Sequence, residues 1–222
     1  MANCKGKKMG KKPKLIIIDC DGVLYHPSEL NVNIMLVAFN AMCDDFDIAD
    51  EKFNIDKNLN CKKPIGGIYN HIISVAEKAN TTPQAVIKKT IGHIDYSHIT
   101  PDTDNILKLF QKVSKKYKVC ICTNNHIMHL NMVLKAKFGI TIKQLPFEAF
   151  GATFAKQGGI YHPKQSDIFV KKLERHFGIK ALDFLWIDDD PTVTNAVTLL
   201  GSKSTLITQD YRLVNALNDI LR

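Results

Sequence analysis

The segment that decides the fold is Lys14-Leu-Ile-Ile-Ile-Asp-Cys-Asp-Gly22. Its four consecutive apolar residues, three of them β-branched, are typical of a short strand buried on both faces of a parallel sheet. Comparable runs recur at residues 117–122, 184–187 and 204–207. Helical periodicity separates these runs, and strands that alternate with helices predict an α/β fold with a doubly wound, Rossmann-like parallel sheet.

The spacing of apolar residues also predicts how the chain is divided. Amphipathic helices are predicted between and after these strands, at 102–116, 126–138, 166–177, 192–200 and 211–221. Residues 30–98 have helical spacing throughout and no convincing buried strand, which predicts a small all-helical cap inserted after the first strand. We therefore expect a basic tail at 1–13, an α/β core formed by 14–29 and 99–222, and a helical cap at 30–98.

The net charge of +8 is mostly a property of the tail. Six lysines lie between Lys5 and Lys14 in a segment without an acidic residue, and removing them leaves a net charge of +2. A short lysine-rich tail is typically solvated and disordered, with weak contact to a polyanion as the alternative. The charge thus does not favour a nucleic-acid partner. No apolar run approaches the roughly 18 residues of a membrane span, so we expect no membrane association.

The six cysteines are not arranged for a metal or redox motif. None has C-x-x-C spacing, and Cys20, Cys120 and Cys122 lie in or beside apolar runs. Reduced thiols buried with the strands explain this pattern better than disulfides, and they predict a reducing, cytoplasmic compartment.

Polar side chains follow three of the predicted strands. The three segments are Asp19-Cys-Asp-Gly22, Thr123-Asn-Asn125 and Asp188-Asp-Asp190. In open α/β sheets, ligands bind beyond the carboxyl ends of the strands, so these side chains are expected to converge. Clustered carboxylates repel one another unless a cation lies between them, and hard oxygen donors suit Mg²⁺. The pattern predicts a site for magnesium and phosphate.

These motifs, in this order over residues 14–208, resemble those of haloacid dehalogenase (HAD) superfamily phosphohydrolases. The run Asp19-Cys-Asp-Gly-Val-Leu-Tyr25 followed by Pro27, together with Ile94-Asp-Tyr-Ser-His-Ile-Thr-Pro-Asp102, is similar to the pyrimidine 5'-nucleotidase-like branch. The resemblance implies a Mg²⁺-dependent phosphohydrolase acting on a small phosphorylated metabolite, a nucleoside 5'-monophosphate in that branch. It implies that Asp19 attacks phosphorus and forms an aspartyl phosphate.

The resemblance implies the roles of three further residues. Asp21 would protonate the leaving alkoxide and then deprotonate the attacking water. The hydroxyl of Thr123 and the backbone amide of Asn124 would hold the phosphoryl group. The alternative for Thr123 is to cap the next helix. A dehalogenase needs no acid at the second position, so Asp21 disfavours that activity.

The family also requires a lysine beside the nucleophile. Lys164, which precedes the helix predicted at 166–177, is our candidate. Relatives carry Lys-Pro shortly before such a helix, whereas the order here is His162-Pro-Lys164. This shift of register leaves Lys156 and His162 as alternatives.

The resemblance implies that the metal is held by four aspartates, namely Asp19, Asp21, Asp188 and Asp189. Relatives often carry a further Asp or Asn four residues after the second acid of this motif, and the chain has Val193 there. Asp190, followed by Pro191, is better explained by helix initiation than by metal binding. The altered region after Asp189 supports an alternative function, a phosphate-ligand binding or regulatory protein with little or no turnover.

Two weaker features complete the sequence-based expectations. His71, His93, His98, His126 and His129 lack zinc-site spacing, which favours surface or polar-core roles. Gly66-Gly67 is weak as a phosphate loop because no strand precedes it, but its position in the cap is compatible with facing the substrate.

Overall fold

The computed structural model describes residues 12–30, 32–52 and 68–222, and for 32, 33 and 68–71 it describes the backbone only. Most of the predicted basic tail (residues 1–11) and the Gly66-Gly67 pair lie outside the described residues. Within the described ranges, no helix is long and apolar enough to cross a membrane.

Five parallel strands form the central sheet, in the order β3-β2-β1-β6-β7, and two further strands form an antiparallel hairpin. The strands are β1 (Leu15–Ile18), β2 (Lys118–Cys122), β3 (Glu148–Phe150), β4 (Lys156–Gln157), β5 (Ile160–Tyr161), β6 (Phe184–Asp188) and β7 (Lys203–Leu206). The first strand lies at the centre, paired on both sides. This position is why its sequence is continuously apolar rather than alternating.

Helices cover both faces of the sheet. The helices of the described chain are α1 (Val32–Asp45), α2 (Ile68–Lys78), α3 (Pro83–His93), α4 (Ile106–Ser114), α5 (Ile127–Phe138), α6 (Asp167–Phe177), α7 (Pro191–Leu199) and α8 (Leu213–Leu221). Of these, α4 to α8 pack on the sheet, and α1 to α3 lie in the insertion between β1 and β2. Ile16 and Ile18 pack with α4, α5 and α8, whereas Leu15 and Ile17 pack with α6 and α7. Successive residues of β1 therefore belong to two separate cores, and the predicted doubly wound α/β fold is confirmed.

The helices inserted between β1 and β2 have a hydrophobic cluster of their own. Phe39 from α1, Val75 from α2 and Ile87 from α3 are all buried in it, and Tyr161 of β5 packs against its edge. The helical character predicted for this region is thus confirmed for its described residues, while its boundaries at 30 and 98 stay a prediction.

The structure differs from the sequence-based expectation in its shorter strands and in the start of α4. The edge strand β3 was not predicted, because Glu148-Ala-Phe150 lacks the apolar run of a central strand and, among the described residues, pairs only with β2. The β4–β5 hairpin was not predicted either. The helix expected from residue 102 begins at Ile106, since the Asp102 carboxylate accepts hydrogen bonds from Asp104 N–H and Ile106 N–H and caps its entry.

Candidate active site

The carboxyl ends of the three central strands bring the predicted motifs to one edge of the sheet. Ile18 is in register with Ile121 of β2 and with Ile187 of β6. Asp19, which follows β1, and Asp188, the last residue of β6, therefore lie at the same level, and Asp19 N–H donates to the carbonyl of Ile187 at 2.9 Å. Parallel pairing thus explains why motifs more than 160 residues apart in sequence share one site.

Lys164 joins the two strand ends. Its Nζ lies 2.5 Å from Asp19 Oδ1 and 2.7 Å from Asp188 Oδ2, and all three side chains are buried. Burial works against the charged form of Lys164, but the two carboxylates outweigh it and raise the pKa of the ammonium group. The pKa of Asp19 is also raised, chiefly by burial and next by the charges of Asp188 and Asp21, with Lys164 opposing the shift.

Of the lysine candidates, the structure brings Lys164 to Asp19. Lys156 is exposed on β4, where its Nζ lies 5.1 Å from the centre of the Tyr161 ring. The backbone N–H of Lys164 donates to Asn124 Oδ1 at 2.8 Å, and Asn124 Nδ2 donates to the side chain of Gln165 at 3.2 Å. The Asn124 side chain therefore fixes the segment that carries the lysine, a role that sequence reasoning missed. Its predicted backbone contact with a phosphoryl group stays a prediction.

A second feature of this edge is a group of three carboxylates. One oxygen from each of Asp19, Asp188 and Asp189 lies within 4.8 Å of the others. Burial, and then the charge of Asp188, raise the pKa of Asp189 to about 6, although Lys164 opposes the shift. Three carboxylates offset by a single lysine leave an excess of negative charge, and their oxygen donors suit a divalent cation such as Mg²⁺.

Gly22 makes room for this carboxylate group. Its φ of +74° lies in the left-handed region, and a Cβ at this position would overlap the Asp189 carboxylate. The glycine is thus required both by the turn that follows β1 and by the close approach of the side chain of Asp189.

The carboxylate of Asp21 lies in a different environment from the other three predicted metal ligands. It accepts hydrogen bonds from Tyr25 O–H (2.7 Å), His129 Nε2 (2.9 Å), Thr123 Oγ1 (3.0 Å) and Asn125 Nδ2 (2.9 Å). Burial alone would raise the pKa of Asp21, but the His129 ring and these donors outweigh it and lower the pKa. The geometry does not bring this carboxylate into the group that suits a metal, so its role as a ligand stays a prediction.

The alternative interpretation of Thr123 as a helix cap is wrong. The N-cap of α5 is His126, whose side chain accepts from Met128 N–H. The hydroxyl of Thr123 donates to Asp21 and accepts from Asn125 N–H at 2.9 Å. The interpretation of Asp190 is confirmed, since its side chain accepts from Thr192 N–H at the start of α7.

Sequence reasoning missed the donors around Asp21, above all His129. This side chain is only 2% exposed and also contacts the hydroxyl of Tyr96 through Nδ1 at 2.8 Å. A signal was available, because His129 lies in the first turn of the helix that follows the Thr123 strand end. Side chains in such a turn lie beside the carboxyl edge of the sheet.

Comparisons with known proteins give fold-level matches. No protein-family model matches the chain, and no curated protein is significantly similar to it. A predicted HAD-like family hydrolase from Porphyromonas gingivalis superimposes with a TM-score of 0.61 at 19% identity, covering 96% of this chain and 99% of that chain. A HAD family enzyme from Bacteroides thetaiotaomicron, in complex with magnesium and inorganic phosphate, has a TM-score of 0.53 at 19% identity, covering 88% and 94%.

The chain therefore shares the fold of HAD-family enzymes. CbbY from Rhodobacter sphaeroides, in complex with phosphate, has a TM-score of 0.58 at 12% identity, and the match covers 90% of this chain and 88% of CbbY. At these identities the matches establish the HAD-like architecture.

Proposed function

We propose that this protein is a Mg²⁺-dependent phosphohydrolase that cleaves a small phosphomonoester through an aspartyl-phosphate intermediate. The observation that carries the proposal is the buried Asp19, which is ion-paired to the Lys164 ammonium group and grouped with the carboxylates of Asp188 and Asp189. A carboxylate at a strand end with a fixed cation beside it is suited to attack on a phosphoryl group. Solved structures of the same fold with magnesium and phosphate support the same chemistry.

The donor set fits a magnesium ion. Asp19, Asp188 and Asp189 offer three carboxylate oxygens close together, and the room left by Gly22 allows Asp189 to approach. We assign Asp19, Asp188 and Asp189 as the side chains that hold the ion. A bound Mg²⁺ supplies positive charge that offsets the charge on the phosphoryl oxygens.

The reaction proceeds in two half-reactions. In the first, an oxygen of Asp19 forms a bond to phosphorus, the bond to the ester oxygen breaks, and Asp21 gives a proton to the leaving alkoxide. In the second, Asp21 takes a proton from water as the water oxygen attacks phosphorus, which releases phosphate and restores Asp19. Lys164 balances negative charge on Asp19 and the phosphoryl group throughout. Thr123 and the backbone amide of Asn124 bind the phosphoryl oxygens.

The hydrogen bonds seen at Asp21 suit the second of these steps. A carboxylate that accepts four hydrogen bonds is held as a proton acceptor, which is the form needed to deprotonate water. Donation to a leaving group requires the side chain to leave some of these partners, and Gly22 directly after it permits that movement.

The cap predicted at residues 30–98 has a role in the proposal. It would cover the strand ends and shield the aspartyl phosphate from bulk water. We further propose that the substrate is a nucleoside 5'-monophosphate, as in the pyrimidine 5'-nucleotidase-like branch that the motif around Asp19 resembles. The enzyme would then act on a cytoplasmic metabolite.

The test is phosphate release from aryl phosphates and from a panel of phosphomonoesters that begins with nucleoside monophosphates, each with and without Mg²⁺. Asp19→Asn keeps the shape of the side chain but removes the nucleophile, so we expect turnover to fall by several orders of magnitude in a folded protein. Asp167→Asn, on the exposed start of α6, is the matched control and should retain activity. Phosphate binding without turnover in the wild type would favour the alternative of a binding or regulatory protein. Turnover by Asp19→Asn equal to wild type would overturn the mechanism.

A further inference from the structure

A chain of two buried side chains extends from Asp21 away from the sheet edge. His129 Nε2 lies 2.9 Å from Asp21 Oδ1, and His129 Nδ1 lies 2.8 Å from the hydroxyl oxygen of Tyr96. His129 is 2% exposed and Tyr96 is 8% exposed. With a neutral ring, one direction of donation satisfies every group: Tyr96 O–H donates to Nδ1, and Nε2–H donates to the carboxylate.

The two side chains belong to two different elements of the chain. His129 lies in the first turn of α5, after the Thr123 strand end, whereas Tyr96 begins the short 3₁₀ turn Tyr96–His98 that leads from α3 back to the core. The rings also contact each other, with centroids 5.6 Å apart. Ile94 and Ile99, on either side of this turn, are buried in the same core as Leu130 of α5. The hydroxyl of Tyr96 is therefore held in a fixed place.

The contact with His129 matters because the other donors to Asp21 come from its own segment or from the neighbouring strand end. Tyr25 follows it by one helical turn, and Thr123 and Asn125 belong to the neighbouring strand end. Only His129, among the donors that the structure describes, ties the carboxylate to the turn that closes the helical insertion. Buried hydrogen-bonded chains of this kind fix the orientation of the side chain at their end.

We propose that His129 is a positioning residue for Asp21 and that Tyr96 acts through His129, so that the pair orients the carboxyl group for proton transfer to the leaving group. This inference rests on the proposed function. Loss of position in a proton donor matters most where the leaving group is a poor one, because an acidic phenol departs without help. A displacement of about 1 Å in a reacting group costs as much as roughly 100-fold in rate.

The experiment compares aryl phosphates with leaving phenols of different acidity, from phenyl phosphate to 2,4-dinitrophenyl phosphate. The quantity measured is kcat/KM, which reports the half-reaction in which the ester oxygen leaves. For His129→Leu we expect a loss of roughly 10- to 100-fold on phenyl phosphate and a much smaller loss on the dinitrophenyl ester. His129→Gln keeps an N–H donor near the position of Nε2 and should recover part of the activity on phenyl phosphate.

Three further variants separate positioning from general damage to the fold. Tyr96→Phe should show a smaller loss with the same dependence on the leaving group. The double variant Tyr96→Phe/His129→Leu should be no worse than His129→Leu, because Tyr96 acts through the histidine. In an Asp21→Asn background, His129→Leu should cause no further loss on phenyl phosphate. The control is His176→Leu, which should match wild type; this half-exposed histidine of α6 is paired with Glu148 of β3.

These outcomes distinguish the positioning role of His129 from the proposed phosphohydrolase function. A loss in His129→Leu that is equal for all esters, or additive losses in the double variant, would overturn the positioning role while the phosphohydrolase assignment stands. A wild type that releases phosphate from no ester would overturn the proposed function, and the positioning role with it. If His129→Leu does not fold, His129→Gln and Tyr96→Phe carry the test through the same dependence on the leaving group.

Discussion

Replacing Lys164 by Met is the perturbation that most directly probes how the site is held together. The lysine is 3% exposed and is ion-paired to Asp19 and Asp188, which are 5% and 0% exposed. Methionine keeps most of the aliphatic chain of lysine but removes its positive charge. The buried carboxylates of Asp19 and Asp188 are then left without that neutralising cation. Lys156→Met is the matched control, because this exposed lysine contacts only the ring of Tyr161 among the interactions described for its ammonium group.

The expected loss follows from the burial of the two acids. Breaking a buried ion pair by removing one partner costs about 3–5 kcal/mol. The upper limit is the cost of protonating a carboxyl with an ordinary pKa, which is about 5–6 kcal/mol at pH 8 and about 1.5 kcal/mol at pH 5. In the variant Lys164 no longer opposes the raised pKa of Asp19, so that pKa rises further above its unfolded value and the stability of the variant falls as the pH rises. The difference from wild type should thus be largest in alkaline solution and shrink towards pH 5.

Thermal unfolding in excess chelator, followed by circular dichroism at several pH values, measures this effect. A loss of about 3–5 kcal/mol corresponds to a Tm lower by roughly 6–20 °C for a chain of this size. The control loses one exposed cation–π contact, about 0.5–1 kcal/mol, at every pH. Equal Tm values for the two variants near pH 8 would refute the argument, as would a gap that widens on acidification.

Three further predictions concern the metal site. Gly22→Ala and Gly139→Ala both place a side chain at a positive φ, at a cost of about 1–2 kcal/mol, but the new Cβ would overlap Asp189 only at residue 22. Calorimetric titration should therefore find weakened Mg²⁺ binding in Gly22→Ala alone, and equal binding in both would count against this geometry. Because the pKa of Asp189 is raised to about 6, protons should compete with Mg²⁺, and the affinity of the site for Mg²⁺ should fall as the pH drops below that value. An affinity that does not change from pH 5 to pH 8 would argue against direct ligation by Asp189. Phosphatase activity should require Mg²⁺ or Mn²⁺, be inhibited by Ca²⁺ with its looser coordination, and vanish in chelator; full activity in chelator would exclude the metal-dependent mechanism.

The central strands could be predicted because burial on both faces of the sheet requires a continuous run of apolar residues. Leu15–Ile18 is continuously apolar, and the observed register makes it the middle strand. The edge strand Glu148–Phe150 has no such apolar run, since within the described part of the chain it pairs with β2 on one side only, and its side chains are exposed or partly buried. Its identity as a strand depends on the pairing with β2, which is a tertiary contact that local sequence does not encode.

The sequence could predict directly only the site residues that lie at the ends of strands. Asp19, Thr123 and Asp188 follow apolar runs, so a parallel sheet alone brings them together. Lys164 reaches the site from a loop, and its place depends on the hydrogen bond between its backbone N–H and the Asn124 side chain. His129 belongs to no recognisable motif. Its contact with Asp21 depends on which side of the first turn of α5 faces the site.

The two aspartates that follow β1 show why the environment, rather than the motif, determines the chemistry. Burial and neighbouring carboxylates raise the pKa of Asp19, whereas His129 and the other donors lower the pKa of Asp21. These shifts are opposite to those needed for the first half-reaction, in which the nucleophile must be ionised and the acid must hold a proton. A cation beside Asp19 lowers the pKa of the nucleophile, and the negative phosphoryl group raises that of Asp21. On this argument the cation and the substrate together set the two protonation states, so neither half of the site is ready for reaction until both are bound.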